Sequence, residues 1–272
     1  KARILLQELI DLNRDSFPPH ALLAEVLLMQ KDRDALRELQ DDLSRVPKGN
    51  GLSAFIKSQL SFRDGDFTAA RDYLNRALRS WPRHPRLLMQ LLRLDLFQGQ
   101  SEAARGHARE LLSIDPRNAL GNYVMATIHI SEGENERAED YLRRSLKTRR
   151  TPEALNDLAW LVMEKGNMEE AEALALDSIR RNARIYAAWD TLGVIRMKQG
   201  QLEPAEKALE KALTLYAQDM GVVMNMAELR IRQDRRGEAR SLLEQVEAQR
   251  HRLTVEQRTR LDDLKQQAAR TD

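Results

Sequence analysis

Two residue types recur along this chain at one spacing, and that spacing narrows the folds open to it. Glycine falls at Gly65, Gly99, Gly133, Gly166 and Gly200, in steps of 34, 34, 33 and 34 residues. Five residues after each glycine comes an alanine: Ala70, Ala104, Ala138, Ala171 and Ala205, with Ala239 continuing the series. The two columns share the same one-residue slip. One structural unit is therefore repeated along the chain.

Each column has a local physical meaning. A glycine between two segments of apolar helical periodicity supplies the positive φ of a tight helix–helix turn. A small alanine lets the second helix approach the first closely. Four residues further on, Leu74, Ala108, Leu142, Ala175, Leu209 and Leu243 lie on the same helix face. Prolines in the segments WPRHP, DPRN and RTPE stop and start helices between units. Residues 17–268 are thus expected to be almost wholly helical, with Ala171 facing a helix contact and its neighbour Glu172 facing water.

Composition agrees with this pattern. There are only 12 Gly and 8 Pro in 272 residues, with 5% aromatic and 32% charged residues, the mix of helices with wet outer faces. There is no cysteine, which excludes disulfides, thiol catalysis and zinc–thiolate sites. The net charge of +2, from 44 basic and 42 acidic residues, gives little electrostatic reason for nucleic acid binding. No apolar run approaches the ~18 residues of a membrane span, so no membrane insertion is expected in this region. The chain opens at Lys1 in helical pattern, so a fragment of a longer protein is expected, with a cytoplasmic or periplasmic setting left open.

A 34-residue helix–turn–helix unit of this layout resembles the tetratricopeptide repeat. In AAWDTLGVIRMKQGQLEPAEKALEKALTL, Trp189, Leu192 and Gly193 match family positions 4, 7 and 8, and Ala205, Leu209 and Ala212 match positions 20, 24 and 27. The preceding unit supplies Leu158, Ala159, Ala171, Ala175 and Ser178. The resemblance implies an all-α, right-handed superhelical solenoid of stacked helix–turn–helix repeats. Six units are read at 51–84, 85–118, 119–151, 152–185, 186–219 and 220–253. Residues 17–50 read as a degenerate unit without the turn glycine, and residues 1–16 as one helix of a truncated repeat. Residues 254–272 read as a capping helix and tail, because Thr254 and Gln257 have capping-box spacing. Only one unit keeps Trp at position 4, and Lys57 and Ser58 at positions 7 and 8 predict looser packing in the first of the six.

Catalytic chemistry finds no foothold. His20, His84, His107, His129 and His251 form no recognised metal spacing and are read as packing or solvated residues. No phosphate-binding or nucleophile motif is present, and adjacent carboxylates such as Glu169/Glu170 and Asp262/Asp263 diverge around a helix. No enzyme activity, metal or cofactor is expected. The basic run RRSLKTRR at 143–150 ends a second helix, where cations suit the helix dipole.

In such an array the first helices line the concave side, and a partner protein or peptide is expected there. Positions 5 and 9 give Phe55, Met89, Tyr123, Asn156 and Asp190, then Gln59, Arg93, Thr127, Trp160 and Val194; Phe62 and Phe97 lie at positions 12 and 13. These twelve residues form the candidate groove, with partial burial of the large ones as the alternative. Position 12, apolar in every unit, is expected to be at least half structural. Charge shifts along the array, from +4 over residues 51–118 (11 basic, 7 acidic) to −3 over 152–185 (4 basic, 7 acidic). Glu153, Asp157, Glu164 and Asp190 could receive basic side chains. Some family members clamp a C-terminal carboxylate with Lys, Asn and Arg, but Phe55, Gln59, Gln90, Leu120 and Val124 stand there, so that mode is discarded.

The function expected is a non-catalytic protein–protein scaffold. The wording LNDLAW…AAWDTLG is similar to bacterial envelope-associated repeat proteins, including those serving polysaccharide export and surface sorting. Nucleic-acid binding through arginines and an accessory region of a larger enzyme are the alternatives. The oligomeric state is not legible.

Overall fold

The computed structural model describes residues 2–13, 17–44 and 49–269. The junction residues 14–16 and 45–48, and tail residues 270–272, lie outside the described residues. Those described form sixteen α-helices and no strand. They are α1 (Ala2–Leu12), α2 (Phe17–Gln30), α3 (Arg33–Ser44), α4 (Gly49–Arg63), α5 (Phe67–Ser80), α6 (Pro85–Phe97), α7 (Ser101–Ile114) and α8 (Ala119–Ser131). After them come α9 (Asn135–Thr148), α10 (Pro152–Glu164), α11 (Met168–Arg181), α12 (Tyr186–Lys198), α13 (Leu202–Leu215), α14 (Met220–Arg232), α15 (Arg236–Glu247) and α16 (Val255–Ala269). The helices gather into two compact units, residues 1–128 and 129–272.

The turn column behaves as its chemistry requires. Gly65, Gly99, Gly133, Gly166 and Gly200 all have φ between 66° and 86°. Two residues in corresponding slots are not glycine: Lys31, between α2 and α3, and Asp234, between α14 and α15, both at φ 58°. Backbone geometry is therefore kept where the favourable residue is missing, at some cost in strain.

The alanine column is a line of close contacts. Ala70, Ala104, Ala138, Ala171, Ala205 and Ala239 are each at most 1% exposed. Gly193 serves the same end from the facing helix, since a Cβ built on it would lie 2.6 Å from Leu209 Cγ. In the first unit α4 to α6 close over Ala54, Ala70, Leu74, Ala77, Leu87, Leu91 and Leu94. In the second, Met197, Ala205, Leu209, Ala212, Val222, Met226 and Leu229 form a corresponding core. Packing around Ser58 is not loose: the residue is 1% exposed and its hydroxyl donates to the Phe55 carbonyl at 2.6 Å.

α16 covers the end of the second unit with Leu261, Leu264 and Ala268, packed on Val223, Ala227, Leu243 and Val246. Its start is a reciprocal cap. Gln257 N–H donates to Thr254 Oγ1 at 3.2 Å, and Thr254 N–H donates to Gln257 Oε1 at 3.0 Å. None of the described helices is long and apolar enough to cross a membrane.

Candidate functional site: two clefts lined by first helices

In the first unit α2, α4 and α6 bring four of the expected residues together. Phe55, Gln59, Met89 and Arg93 line a cleft of about 380 Å3 with Glu25, Leu28, Met29, Arg86 and Gln90. Helical spacing explains the convergence: Phe55 and Gln59, and Met89 and Arg93, are each four residues apart and share a helix face. Phe55 and Met89 are half-buried, whereas Met29 is 78% exposed. Arg86 pairs with Glu25. Arg93 is exposed at the rim.

Phe62 and Phe97 belong to a different patch. With Phe67 at the start of α5 they form a ring cluster, with centroid separations of 5.4 Å (Phe62–Phe67), 4.6 Å (Phe67–Phe97) and 6.2 Å (Phe62–Phe97). Position 12 thus divides. Phe62 and Leu96 are 41% and 42% exposed, whereas Met163 and Met197 are 3% and 2% exposed and belong to the core of the second unit. Tyr123 and Thr127, on α8, are half-buried, and the Thr127 hydroxyl donates to the Val124 carbonyl of its own helix at 2.9 Å.

The second unit has its own cleft, of about 280 Å3, between α10, α12, α14 and α16. Trp160, Asp190 and Val194 line it with Met163, Glu164, Thr191, Met197, Lys198, Asn225, Glu228 and Arg260. Trp160 is 40% exposed. Asp190 accepts a hydrogen bond from Asn225 Nδ2 at 2.7 Å, and Arg260 Nη2 donates to Asn225 Oδ1 at 2.6 Å and to Glu228 Oε2 at 2.9 Å. Burial pushes the Asp190 carboxyl up to about 6, against the lowering effect of the Asn225 hydrogen bond. Burial also opposes ionisation of Glu228, but hydrogen bonds from Arg232 and Arg260 hold its pKa below the usual range. Glu164 is paired with Lys198, so Asp190 is the cleft carboxylate without a basic partner in ion-pair contact. Asn156 is half-buried, its Oδ1 without a hydrogen-bond partner.

Arg260 was not foreseen, because a capping helix was read as polar cover alone. A second feature escaped the sequence altogether. Position 21 of one hairpin repeatedly ties to positions 11 and 14 of the next. Arg71 donates to Asp95 at 2.7 Å and to Gln98 at 2.7 Å. Glu172 accepts from Arg196 at 3.0 Å and from Gln199 at 3.4 Å. Glu206 accepts from Gln233 at 2.7 Å and from Arg235 at 3.0 Å, and is ion-paired with Arg230. Glu139 pairs with Lys165 in the same way. The Gln233 hydrogen bond, then those of Arg230 and Arg235, draw the Glu206 carboxyl down to about 2. Glu172 is therefore not the solvated residue expected: its side chain is 23% exposed and tied to α12.

The basic run 143–150 is largely neutralised by its own surroundings. Arg143 pairs with Glu139 and Glu170, Arg144 with Asp140, and Arg150 with Asp177.

Tetratricopeptide repeat family models match residues 57–119, 123–184, 156–220 and 196–256. The type IV pilus assembly protein PilF of Pseudomonas aeruginosa is 26% identical over 140 residues, covering 49% of this chain and 54% of PilF. Among solved structures, a chain of the APC/C hetero-tetramer Cut9–Hcn1 superposes with a TM-score of 0.69 at 17% identity, covering 98% of this chain and 52% of that one. PilW, a type IV pilus biogenesis factor, superposes at 0.59 with 19% identity, covering 76% of this chain and 97% of PilW. The chain spans about half the length of PilF and of the matched Cut9–Hcn1 chain. With family models matching most of residues 57–256, the chain belongs to the tetratricopeptide repeat family.

Proposed function

We propose that this protein is a non-catalytic interaction scaffold that holds segments of a partner protein on the first-helix clefts of its two units. The observation that carries the reading is the convergence of Phe55, Gln59, Met89 and Arg93 on one cleft in the first unit. Apolar walls with a few polar groups at the rim suit an anchored side chain of a peptide or helix. The cleft's spare charge is Arg93, which favours an acidic neighbour to that anchor. The cleft of the second unit offers Trp160 as a flat apolar surface and Asp190 as a carboxylate for a cationic side chain. Tyr123, Thr127 and Asn156 extend the proposed contact surface of their own units, and Phe62 and Phe97 form a separate apolar contact in the first. The units of recognition in this reading are the six repeats from 51–84 to 220–253, with 17–50 as a degenerate seventh.

The relatives suggest a setting. PilF is named for type IV pilus assembly and PilW for pilus biogenesis, so we place this scaffold in assembly of a bacterial envelope structure. A photo-crosslinking residue at Phe55 or Trp160 tests the site. It should trap a discrete partner that the same residue at Arg144, on a second helix, does not. Equal trapping from Arg144 would move the partner to the outer face.

A further inference from the structure

The turn between α8 and α9 holds a group of ligand atoms that the scaffold reading does not use. His129 ends the buried face of α8 and is only 6% exposed. Its Nδ1 lies 2.8 Å from Glu134 Oε2 and 3.5 Å from Glu132 Oε2, and the three ligand atoms lie within 4.8 Å of one another. Despite the short separation, Nδ1 makes no hydrogen bond of proper geometry. A buried ring nitrogen left without a hydrogen bond is unusual for a purely structural histidine. It suits a ligand of an ion shared with the two neighbouring carboxylates, whose bonds would be about 2.0–2.2 Å long.

Comparison with other hairpins sharpens the contrast. Asp95, Arg196 and Arg230 fill the slot corresponding to His129, and each is answered by a directed partner: Arg71, Glu172 and Glu206. His129 is buried like Asp95 and Arg230, but its near neighbours are two half-exposed carboxylates of the turn that follows it. Its ring plane is fixed by Tyr141, stacked at 5.4 Å and 13°, so the imidazole is oriented in advance.

We propose that His129, Glu132 and Glu134 form a binding site for a divalent cation of the zinc class. One imidazole and two carboxylates select a borderline first-row ion over calcium or magnesium, which prefer all-oxygen sets. The remaining coordination positions face the exposed turn and would be filled by water. Two groups compete with the ion. Arg137 Nη1 lies 2.8 Å from Glu134 Oε2, and Glu132 has a further polar contact of its own. Arg137 is 69% exposed and can release Glu134 to solvent. Bound at this turn, the ion would staple α8 to the start of α9.

Calorimetric titration of the chelator-treated full chain with Zn2+ tests the site, with circular dichroism confirming helicity of every variant. One ion should bind per chain and raise the melting temperature. Glu134→Gln, at an exposed position, should weaken binding roughly tenfold or more; His129→Gln should do the same, Arg137→Gln should strengthen binding, and His251→Gln should leave it unchanged. Absence of saturable binding at one equivalent overturns the proposal. So does wild-type affinity in Glu134→Gln, or loss of binding in His251→Gln. If His129→Gln fails to fold, Glu134→Gln decides.

Discussion

Arg71 reaches from α5 to place its guanidinium 2.7 Å from the carboxylate of Asp95 on α6, and Asp95 has no solvent-exposed side-chain surface. His107 Nδ1 stands 2.6 Å from the other Asp95 oxygen. A carboxylate withdrawn this far from water depends on its partners, because an uncompensated buried charge is far costlier than an apolar side chain of similar volume. Arg71→Met should therefore lower stability by about 3 kcal/mol. Arg71→Met combined with Asp95→Leu should recover most of that loss. Urea midpoints report both, and a double variant no better than the single one would show that the pair itself contributes the stability.

Lys31 and Asp234 hold a left-handed backbone that glycine adopts without strain. Lys31→Gly and Asp234→Gly should each raise stability by roughly 0.5–1 kcal/mol, after the larger chain entropy of unfolded glycine is subtracted. Gly200→Lys should do the reverse. Thermal melts of the three variants are the check, and a fall in melting temperature for both glycine variants would refute the strain argument.

Asp190 titrates in the direction opposite to a salt-bridged carboxylate. Its folded-state pKa of about 6 lies above the ordinary 3.8, so the fold favours the neutral form. That contribution is complete below about pH 3.8 and is lost as pH rises through about 6. Asp190→Asn should consequently raise stability near neutral pH by on the order of 1–3 kcal/mol, and by much less near pH 4. Binding of a cationic partner group at this cleft should strengthen as pH rises through the same range. Stability curves of the two proteins that stay parallel across pH would contradict the assignment.

Ala171 and Glu172 are neighbours with different duties. Ala171→Arg drives a charge and a long side chain into a fully buried helix contact, and should cost several kcal/mol. Glu172→Arg places a cation against Arg196 and should cost about 1 kcal/mol. Equal melting temperatures would mean that the helix face is misassigned.

What the sequence made legible was whatever depends on size and backbone. A glycine or an alanine does the same job in every repeat, so each makes a visible column. Position 12 looked uniform because all its residues are apolar, yet Phe62 is exposed where Met163 is core; hydrophobicity does not record what the neighbouring helix covers. The ties from position 21 were invisible for another reason. Arg71 and Glu172 are chemical opposites in one geometric slot, and their partners lie 24 residues away. The role of Arg260 required knowing which face of α14 the final helix would cross. His129, Glu132 and Glu134 resemble no standard motif, since the turn at Gly133 is what folds the third residue back.

The sign of those ties reverses along the chain, so hairpins from the two ends of the series are not interchangeable. Arg71 presents a cation to the hairpin that follows it, while Glu172 and Glu206 present anions. Were the 186–219 hairpin transplanted to follow Arg71, Arg196 would meet a like charge where it now meets a carboxylate. Identical backbones thus carry an address. Recombination that joined the Arg71 hairpin to one carrying Arg196 or Arg230 would leave like charges at the new junction, even where every glycine and alanine remained in register. The order of hairpins of opposite sign is thus constrained by charge as well as by shape.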